Sequence, residues 1–382
     1  MSDWAQDPFA RKTPGSGAIG GREVNERGKN MDKQSENCLV KSEVLSRVLR
    51  ELLQKSGSSS RDAGTITDVF MRATLRGTGH HDVNSFPARL AWVHDGKANP
   101  RPHIQQVAKK GPVARFDGDG GLGELCCSYI TGEAIRLAKR HGLGFCTIRH
   151  SNHFLAAAPY VEIAAESSCI GMIFTNTVPC MTGPDNHVNV IGNNPLGFGS
   201  PFVESCPIVL DIAMSYASWG KIDQRIMAHE PIPESWGRDR EGRHTSDAAK
   251  VRDGGSLSPM AEHKGFGLAL ASEILAGALS DGDLADELTS TGGINSHCQS
   301  VLVIDPTAIL QFQRFRQNVQ RMIGLVKARD SKVHIPGEGA SKSRAQCMEK
   351  GVALRQSLVD ELNRWAVKLK VDPIEPAKEE HP

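Results

Sequence analysis

The sequence predicts an α/β fold, and three observations carry the prediction. Short apolar runs rich in β-branched or aromatic residues alternate with stretches of helical periodicity through the middle of the chain. The 382 residues, 39% of them hydrophobic, suffice for a substantial core and favour two domains over one. There is no internal repeat of the kind that builds a solenoid.

Taken in order, residues 1–36 are polar, Gly-rich and mixed in charge, which predicts a disordered tail. From Cys38, "CLVKSEVLSRVLRELLQKSG" sets Leu39, Val40, Val44, Leu45, Val48, Leu49 and Leu52 at helical spacing, closed by Ser56 and Gly57. A second helix is expected over roughly 62–76, up to Gly77. "GFCTIRHS", "IGMIFTN", "PIVLDIA" and "SVLVIDP" read as strands, and "AAAPYVEIAAESS" and "HKGFGLALASEILAGAL" as helices. A further helix is expected within 307–329 and two more after Gly337, with 237–258 and 280–299 as surface loops.

Composition narrows the function. Lys and Arg total 45 against 44 Asp and Glu, a net charge of +1, so no global field draws the chain to nucleic acid or an anionic membrane, and a small-molecule partner is expected. Nine scattered cysteines include no C-x-x-C pair. No run approaches the roughly 20 apolar residues of a membrane span, and the N-terminus lacks a secretory apolar core. A soluble, cytoplasmic protein is the expectation.

The stretch "GDGGLG" at 118–123 spells the G-x-G-x-x-G dinucleotide fingerprint. "VARF" before it is a candidate strand and the segment after it is an amphipathic helix. The second strand, however, ends in "CTIRHSNHF", with no acid where a ribose would be held; Arg149 is there instead, as a candidate partner for a 2′-phosphate. A glycine turn that brings a helix close to a strand is favoured over a phosphate cradle.

Four polar clusters stand in apolar surroundings: "RGTGHHDVNSFPARL", "RHSNHFLAAAPY", "VLDIAMSYASWGK" and "AEHKGFGLALASEILAGAL". Lys264 at a helix start opposes the macrodipole and, with free backbone N–H groups, makes an anion site. H-E-x-x-H and G-x-S-x-G are absent, so neither a hydrolytic zinc site nor a serine nucleophile elbow is expected, and no metal is assigned. Moving hydride to or from a nicotinamide requires a group that exchanges a proton with the substrate oxygen. Histidine does this near neutrality, and a carboxylate can orient it; His81 with Asp211 is the candidate pair, although their spacing in the chain does not establish contact.

Together the stretches "LRGTGHHDV", "DGDGGLG", "HSNHFLAAAPYVEIAAE", "IGMIFTNT", "IGNNPLGFGSP", "VLDIAMSYASWGKI", "HKGFGLALASEILAGALS" and "IPGEGA" resemble the malate/L-lactate dehydrogenase type 2 family, the L-sulfolactate dehydrogenase-like oxidoreductases, over about residues 38–370. The resemblance implies a non-Rossmann NAD(P)-binding α/β domain with a mixed sheet over 118–302. It also implies a helical domain formed by 37–117 and 303–372, a tail at 373–382, a homodimer, and NAD or NADP as cofactor. "GDGGLG" then is a turn.

By the same resemblance His81 is the acid/base and Asp211 its partner, and His80 beside it is expected to belong to the catalytic set. Cofactor contacts map to Ser151, His153 and Phe154, to Asp211, Ile212, Ala213, Met214, Ser215 and Tyr216, to His263 and Lys264, and to Pro336, Gly337 and Glu338. Substrate contacts are expected at Ser85, Asn152, His153 and Thr175. The chain departs from the pattern where His80 replaces a serine, Asp82 a glycine, and Ser85 an arginine that would clamp a carboxylate. Arg89, one helical turn after Ser85, or Arg149 is expected to take over that contact, and Asp82 is expected to favour the imidazolium form of His81. Gly339 stands where relatives often carry arginine. The reaction implied is interconversion of a 2-hydroxy acid and a 2-oxo acid; the alternatives are reduction of a cyclic imino acid and a catalytically silent dinucleotide binder.

Overall fold

The computed structural model describes residues 37–184, 186–201, 206–288 and 296–375; the expected tail at 1–36 lies outside them. The chain enters through β1 (Asn37–Val40), then α1 (Ser42–Lys55), α2 (Ser60–Leu75) and α3 (Phe86–His94). In α1, Leu45, Val48, Leu49 and Leu52 form one buried stripe, as helical spacing demands. Ser59 caps α2 by accepting a hydrogen bond from the Asp62 amide at 3.1 Å.

A hairpin of β2 (Gln105–Lys110) and β3 (Val113–Asp117) leads into α4 (Gly123–His141), followed by β4 (Leu143–Ser151), α5 (Ala158–Glu166) and β5 (Ile170–Thr175). α4 carries Glu124 in its first turn and Lys139, Arg140 and His141 in its last, matching its macrodipole, and ends on Gly142 in a left-handed conformation. The chain continues through β6 (Met181–Thr182), β7 (Asn189–Ile191), β8 (Leu196–Ser200), β9 (Ile208–Ile212), α6 (Trp219–Met227), β10 (Gly237–Arg238), α7 (Ala248–Arg252), β11 (Ser256–Leu257) and α8 (His263–Ala276). It closes with β12 (His297–Ile304), α9 (Phe312–Arg329), α10 (Glu338–Lys350), β13 (Val352–Arg355) and α11 (Gln356–Leu369).

Seven strands form the central sheet in the order β2-β3-β4-β12-β5-β8-β9, and only β3 and β4 run parallel. A doubly wound Rossmann sheet is mostly parallel, so this mixed sheet is a different architecture. Side chains alternate across it: Ile173 joins the large core beneath α4 and α5, while Met172 and Phe174 join a small cluster with Ala276 of α8 on the other face. The two ends of the chain meet, β1 pairing antiparallel with β13 from Asn37 opposite Arg355 to Val40 opposite Val352.

The structure corrects several boundaries. Residues 37–40 are a strand, because β13 offers them a partner, and the helix begins only at Ser42. The stretch 237–258 is not a plain loop: β10 and β11 join β6 and β7 in a second sheet over its own core of Ile222, Ile232, Val251 and Leu257. Within 280–299, residues 285–288 form a 3₁₀ turn and β12 starts at His297. The segment beyond 372 is not wholly tail, since Ile374 is buried and its backbone exchanges two hydrogen bonds with the Asn363 side chain.

Candidate active site

The glycine turn sits inside the one parallel unit, β3–α4–β4, where a phosphate cradle would be. Its amides are already spent: Gly118 and Gly120 each donate to β4, to Arg149 O and His150 O, at 2.8 Å. The Asn152 side chain donates to Gly120 O and Gly121 O from the other side. Gly120 has a φ of +67°, and a Cβ on Gly123 would lie 2.2 Å from Asn152 O. The glycines let a helix start against a strand end. Gly123→Ala is therefore expected to destabilise the fold by about 1–3 kcal/mol, read as a lowered denaturation midpoint.

What this turn anchors is the segment that enters the cleft. A cavity of about 580 Å³ lies at the C-terminal ends of β4 and β9, lined by His80, His81, His153, Asp211, Lys221 and the 212–218 segment, with Thr177, Asn193 and Pro195 opposite. The α2–α3 loop delivers His80 and His81, and Asp82 shapes that loop. Its carboxylate accepts from the Gly79 and Asn84 amides at 3.0 and 2.9 Å and from the Asn84 side chain.

His81 makes no side-chain hydrogen bond among the described residues; its ring lies 4.6 Å from that of His80 and 5.2 Å from that of His153, centroid to centroid. Burial first, then the neighbouring His80 and Arg89, pulls its pKa down to about 3. The imidazolium form expected from Asp82 is thus disfavoured, because Asp82 spends its oxygens on its own loop. His80 donates from Nδ1 to Thr78 O at 3.0 Å, which leaves Nε2 to accept from the Ser218 hydroxyl at 3.3 Å. Both of its ring nitrogens are occupied.

Asp211 opens onto the cleft, but no hydrogen bond joins it to His81. Its Oδ2 accepts from the Ala158 amide at 2.9 Å, capping α5, where the helix N-terminus attracts the carboxylate. The enclosing walls raise its pKa against that pull.

Other expected contacts are redistributed. Thr175 is buried and donates to Cys298 O at 2.9 Å, away from the cleft. Ser85 donates to His80 O at 3.0 Å and braces the loop. Arg149 is held by Asp117 and Asp281 at 3.2 and 2.7 Å. Arg89 is buried, 2.9 Å from Glu124 Oε1, with its guanidinium 4.4 Å from the Trp92 ring centroid. None of the four lines the cleft.

In "HSNHF" only His153 reaches it: Ser151 and Asn152 are buried in the turn contacts, and Phe154 is stacked on Tyr160. Ile212, Ala213, Ser215 and Tyr216 line the cleft, whereas Met214 belongs to the core. His263 and Lys264 are exposed at the start of α8, next to Met260, which lines the cleft. Pro336, Gly337 and Glu338 sit at the other end of β9. Pro336 O accepts from the Val209 amide at 3.0 Å, and Glu338 is paired with Lys327.

Residues without a sequence-level role also appear. Lys221 lines the cleft beside Trp236, its Nζ 5.1 Å from the ring centroid, and has no carboxylate partner among the described residues. Its signal was a lone cation in "WGKI". Glu124 and His297 are buried polar groups in apolar runs, the pattern that asks for a partner.

The profile of the malate/L-lactate dehydrogenase family matches residues 40–363. The chain is 30% identical to the malate dehydrogenase of Pyrococcus abyssi, over 88% of this chain and 96% of that protein. It is 28% identical to the Delta(1)-pyrroline-2-carboxylate/Delta(1)-piperideine-2-carboxylate reductase of Pseudomonas putida, over 82% and 92%. The solved sulfolactate dehydrogenase of Methanocaldococcus jannaschii superposes with a TM-score of 0.81 at 28% identity, covering 87% of this chain and 98% of that one.

Proposed function

Since the chain belongs to the malate/L-lactate dehydrogenase family of oxidoreductases, we propose that it interconverts a 2-hydroxy acid and a 2-oxo acid with NAD or NADP, His81 exchanging the proton. The observation that carries this reading is the state of His81. It is a cleft-facing imidazole with no protein hydrogen bond, kept unprotonated by its surroundings, beside His80, whose two ring nitrogens are already engaged. It is free to take a hydroxyl proton in the oxidative direction and to return one in the reductive direction. Of the two cations that line the cleft among the described residues, Arg76 is paired with Glu162, which leaves Lys221 to meet the substrate carboxylate, the part first expected of Arg89 or Arg149.

The residues present fit a dinucleotide. Ile212, Ala213, Ser215 and Tyr216 offer a partly apolar wall, and the 14-residue α8 begins at the cleft rim with His263 and Lys264 exposed, a positive end suited to phosphate. When bound, the nicotinamide accepts or supplies the hydride.

A homodimer is part of the proposal. Leu268, Leu270 and Ile274 of α8 are 44, 43 and 60% exposed, an apolar face that a second copy would cover. All nine cysteines are free thiols, in keeping with a reducing, cytoplasmic setting. No helix among the described residues is long and apolar enough to cross a membrane.

Fluorescence titration with NADH and NADPH, followed by turnover of a panel of 2-oxo acids and one cyclic imino acid, tests the reading. Oxidation of the reduced nucleotide by a 2-oxo acid is expected, with sedimentation at twice the 41.3 kDa chain mass. Turnover of the cyclic imino acid alone would favour the second reading, which rests on the Pseudomonas putida relative. Binding without any turnover would make the chain a silent relative, and no binding at all would remove the proposal.

A further inference from the structure

Beneath His153 lies a buried ion pair that the proposed reaction does not use. Arg89 Nε donates to Glu124 Oε1 at 2.9 Å, and Arg89 Nη2 donates to His153 Nδ1 at 3.1 Å. The Leu155 amide donates to the same Nδ1, also at 3.1 Å. Leu155 holds a φ of +76°, a strained conformation for a leucine, and that strain aims its N–H at the ring. Two donors on one ring nitrogen leave it no proton of its own. The remaining proton of the neutral ring is therefore on Nε2, which has no hydrogen-bond partner among the described residues and belongs to a ring that lines the cleft.

Stability does not account for the pair. Glu124 is fully buried and its Oε2 has no partner among the described residues, so the pair carries a desolvation cost that well-packed apolar residues would avoid. Its effect on the imidazole is more specific. His81 and His153 face each other at 5.2 Å, and a proton taken from substrate must reside on only one of them. A guanidinium in contact with His153 keeps the proton off that ring.

We propose that Arg89 and Glu124 are positioning residues that hold His153 as a neutral imidazole with its Nε2–H offered to an oxygen of the 2-oxo or 2-hydroxy acid, leaving His81 as the sole proton-exchanging ring. The proposal rests on the oxidoreductase reading for its substrate, but the state of His153 is measurable without turnover. After burial, the Arg89 charge is the largest cause that depresses the His153 pKa, so removing it raises that pKa.

The experiment is ¹⁵N-histidine NMR on the full chain and on R89M/E124L, which replaces both charges by apolar groups of similar size, with His153 assigned by comparison with H153Q. Wild-type His153 is expected as a single Nε2–H tautomer that stays neutral well below the ordinary histidine range, and its Nε2–H signal shifts on adding oxamate, an unreactive 2-oxo acid mimic. In R89M/E124L the ring is expected to take up its proton at a higher pH than in wild type, burial still holding it below the ordinary histidine range, and kcat/KM at the acid end of the profile to fall ~10-fold with the denaturation midpoint nearly unchanged. H153Q, which keeps an N–H near the Nε2 position, is expected to retain more activity than H153L. A wild-type Nδ1–H tautomer, or a double variant whose His153 takes up its proton at no higher pH than wild type, would overturn the proposal. An enzyme that turns over none of the panel while His153 shows the expected tautomer would count against the reaction and not against the positioning.

Discussion

His81→Asn is expected to lower kcat in both directions by about 10²–10⁴-fold while dinucleotide binding and the denaturation midpoint hold. Asparagine fills much of the same space and retains hydrogen-bonding capacity, but it cannot ionise, so the loss isolates proton exchange. The control is His80→Asn. His80 stands next in sequence and its ring is 4.6 Å away, yet it spends Nδ1 on Thr78 O and Nε2 on Ser218. A bracing role predicts a loss of less than about tenfold for that variant. If the two substitutions cost the same, the proton-exchanging ring has been misassigned between neighbours; if His81→Asn leaves kcat intact, the acid/base role is gone.

Much of the fold was legible because its signals are local. The strands at 143–151, 170–175 and 208–212 and the helices at 158–166 and 263–276 follow from periodicity and β-branched content within one window. β1 and β13 were not legible. Four residues carry no decisive pattern, and their state depends on a partner more than 300 residues away. Apolarity almost all round α8 was visible in the sequence. The chain itself covers only part of that surface, which directs attention to a second copy.

The site was legible to the level of which segments meet, and less so for which atoms face the cleft. His81, His153 and Asp211 do converge, from a loop, a strand end and another strand end. Arg89 was expected to contact substrate because it shares a helical face with Ser85; it does point toward the site, but His153 lies between. Residue type and spacing gave the direction of the guanidinium, whereas its depth depends on Glu124, 35 positions later in the first turn of α4, directly after the glycines that resembled a nucleotide cradle. A lone fingerprint records where glycine is needed, and here the need is close backbone contact.

The second large effect is on pH. His81 titrates at about 3, well below the ordinary 6.5, so in the free enzyme it is unprotonated at every pH where the chain is assayed. kcat/KM reports the free enzyme. For oxidation, which needs the unprotonated ring, kcat/KM is expected to stay level from about pH 8 to 5, with no fall near 6.5. For reduction, which needs the protonated ring, each unit of acidification raises the competent fraction tenfold, so kcat/KM is expected to climb ~100-fold between about pH 7.5 and 5.5. Stability moves the other way. His81 and His297, the latter at about 4 and only 4% exposed, take up a proton in the unfolded chain before they do in the folded one. Stability is therefore full above about pH 6.5 and declines as pH falls toward 4, by up to about 1.4 kcal/mol per unit for each such histidine. The reductive rate should thus rise with acidification until the fold begins to fail, an optimum set by two opposing protonations. Initial rates in both directions, measured alongside urea midpoints at each pH, separate them. An oxidative kcat/KM that drops tenfold per unit below pH 6.5 while the midpoint holds would show an ordinary histidine in the cleft and defeat the assignment.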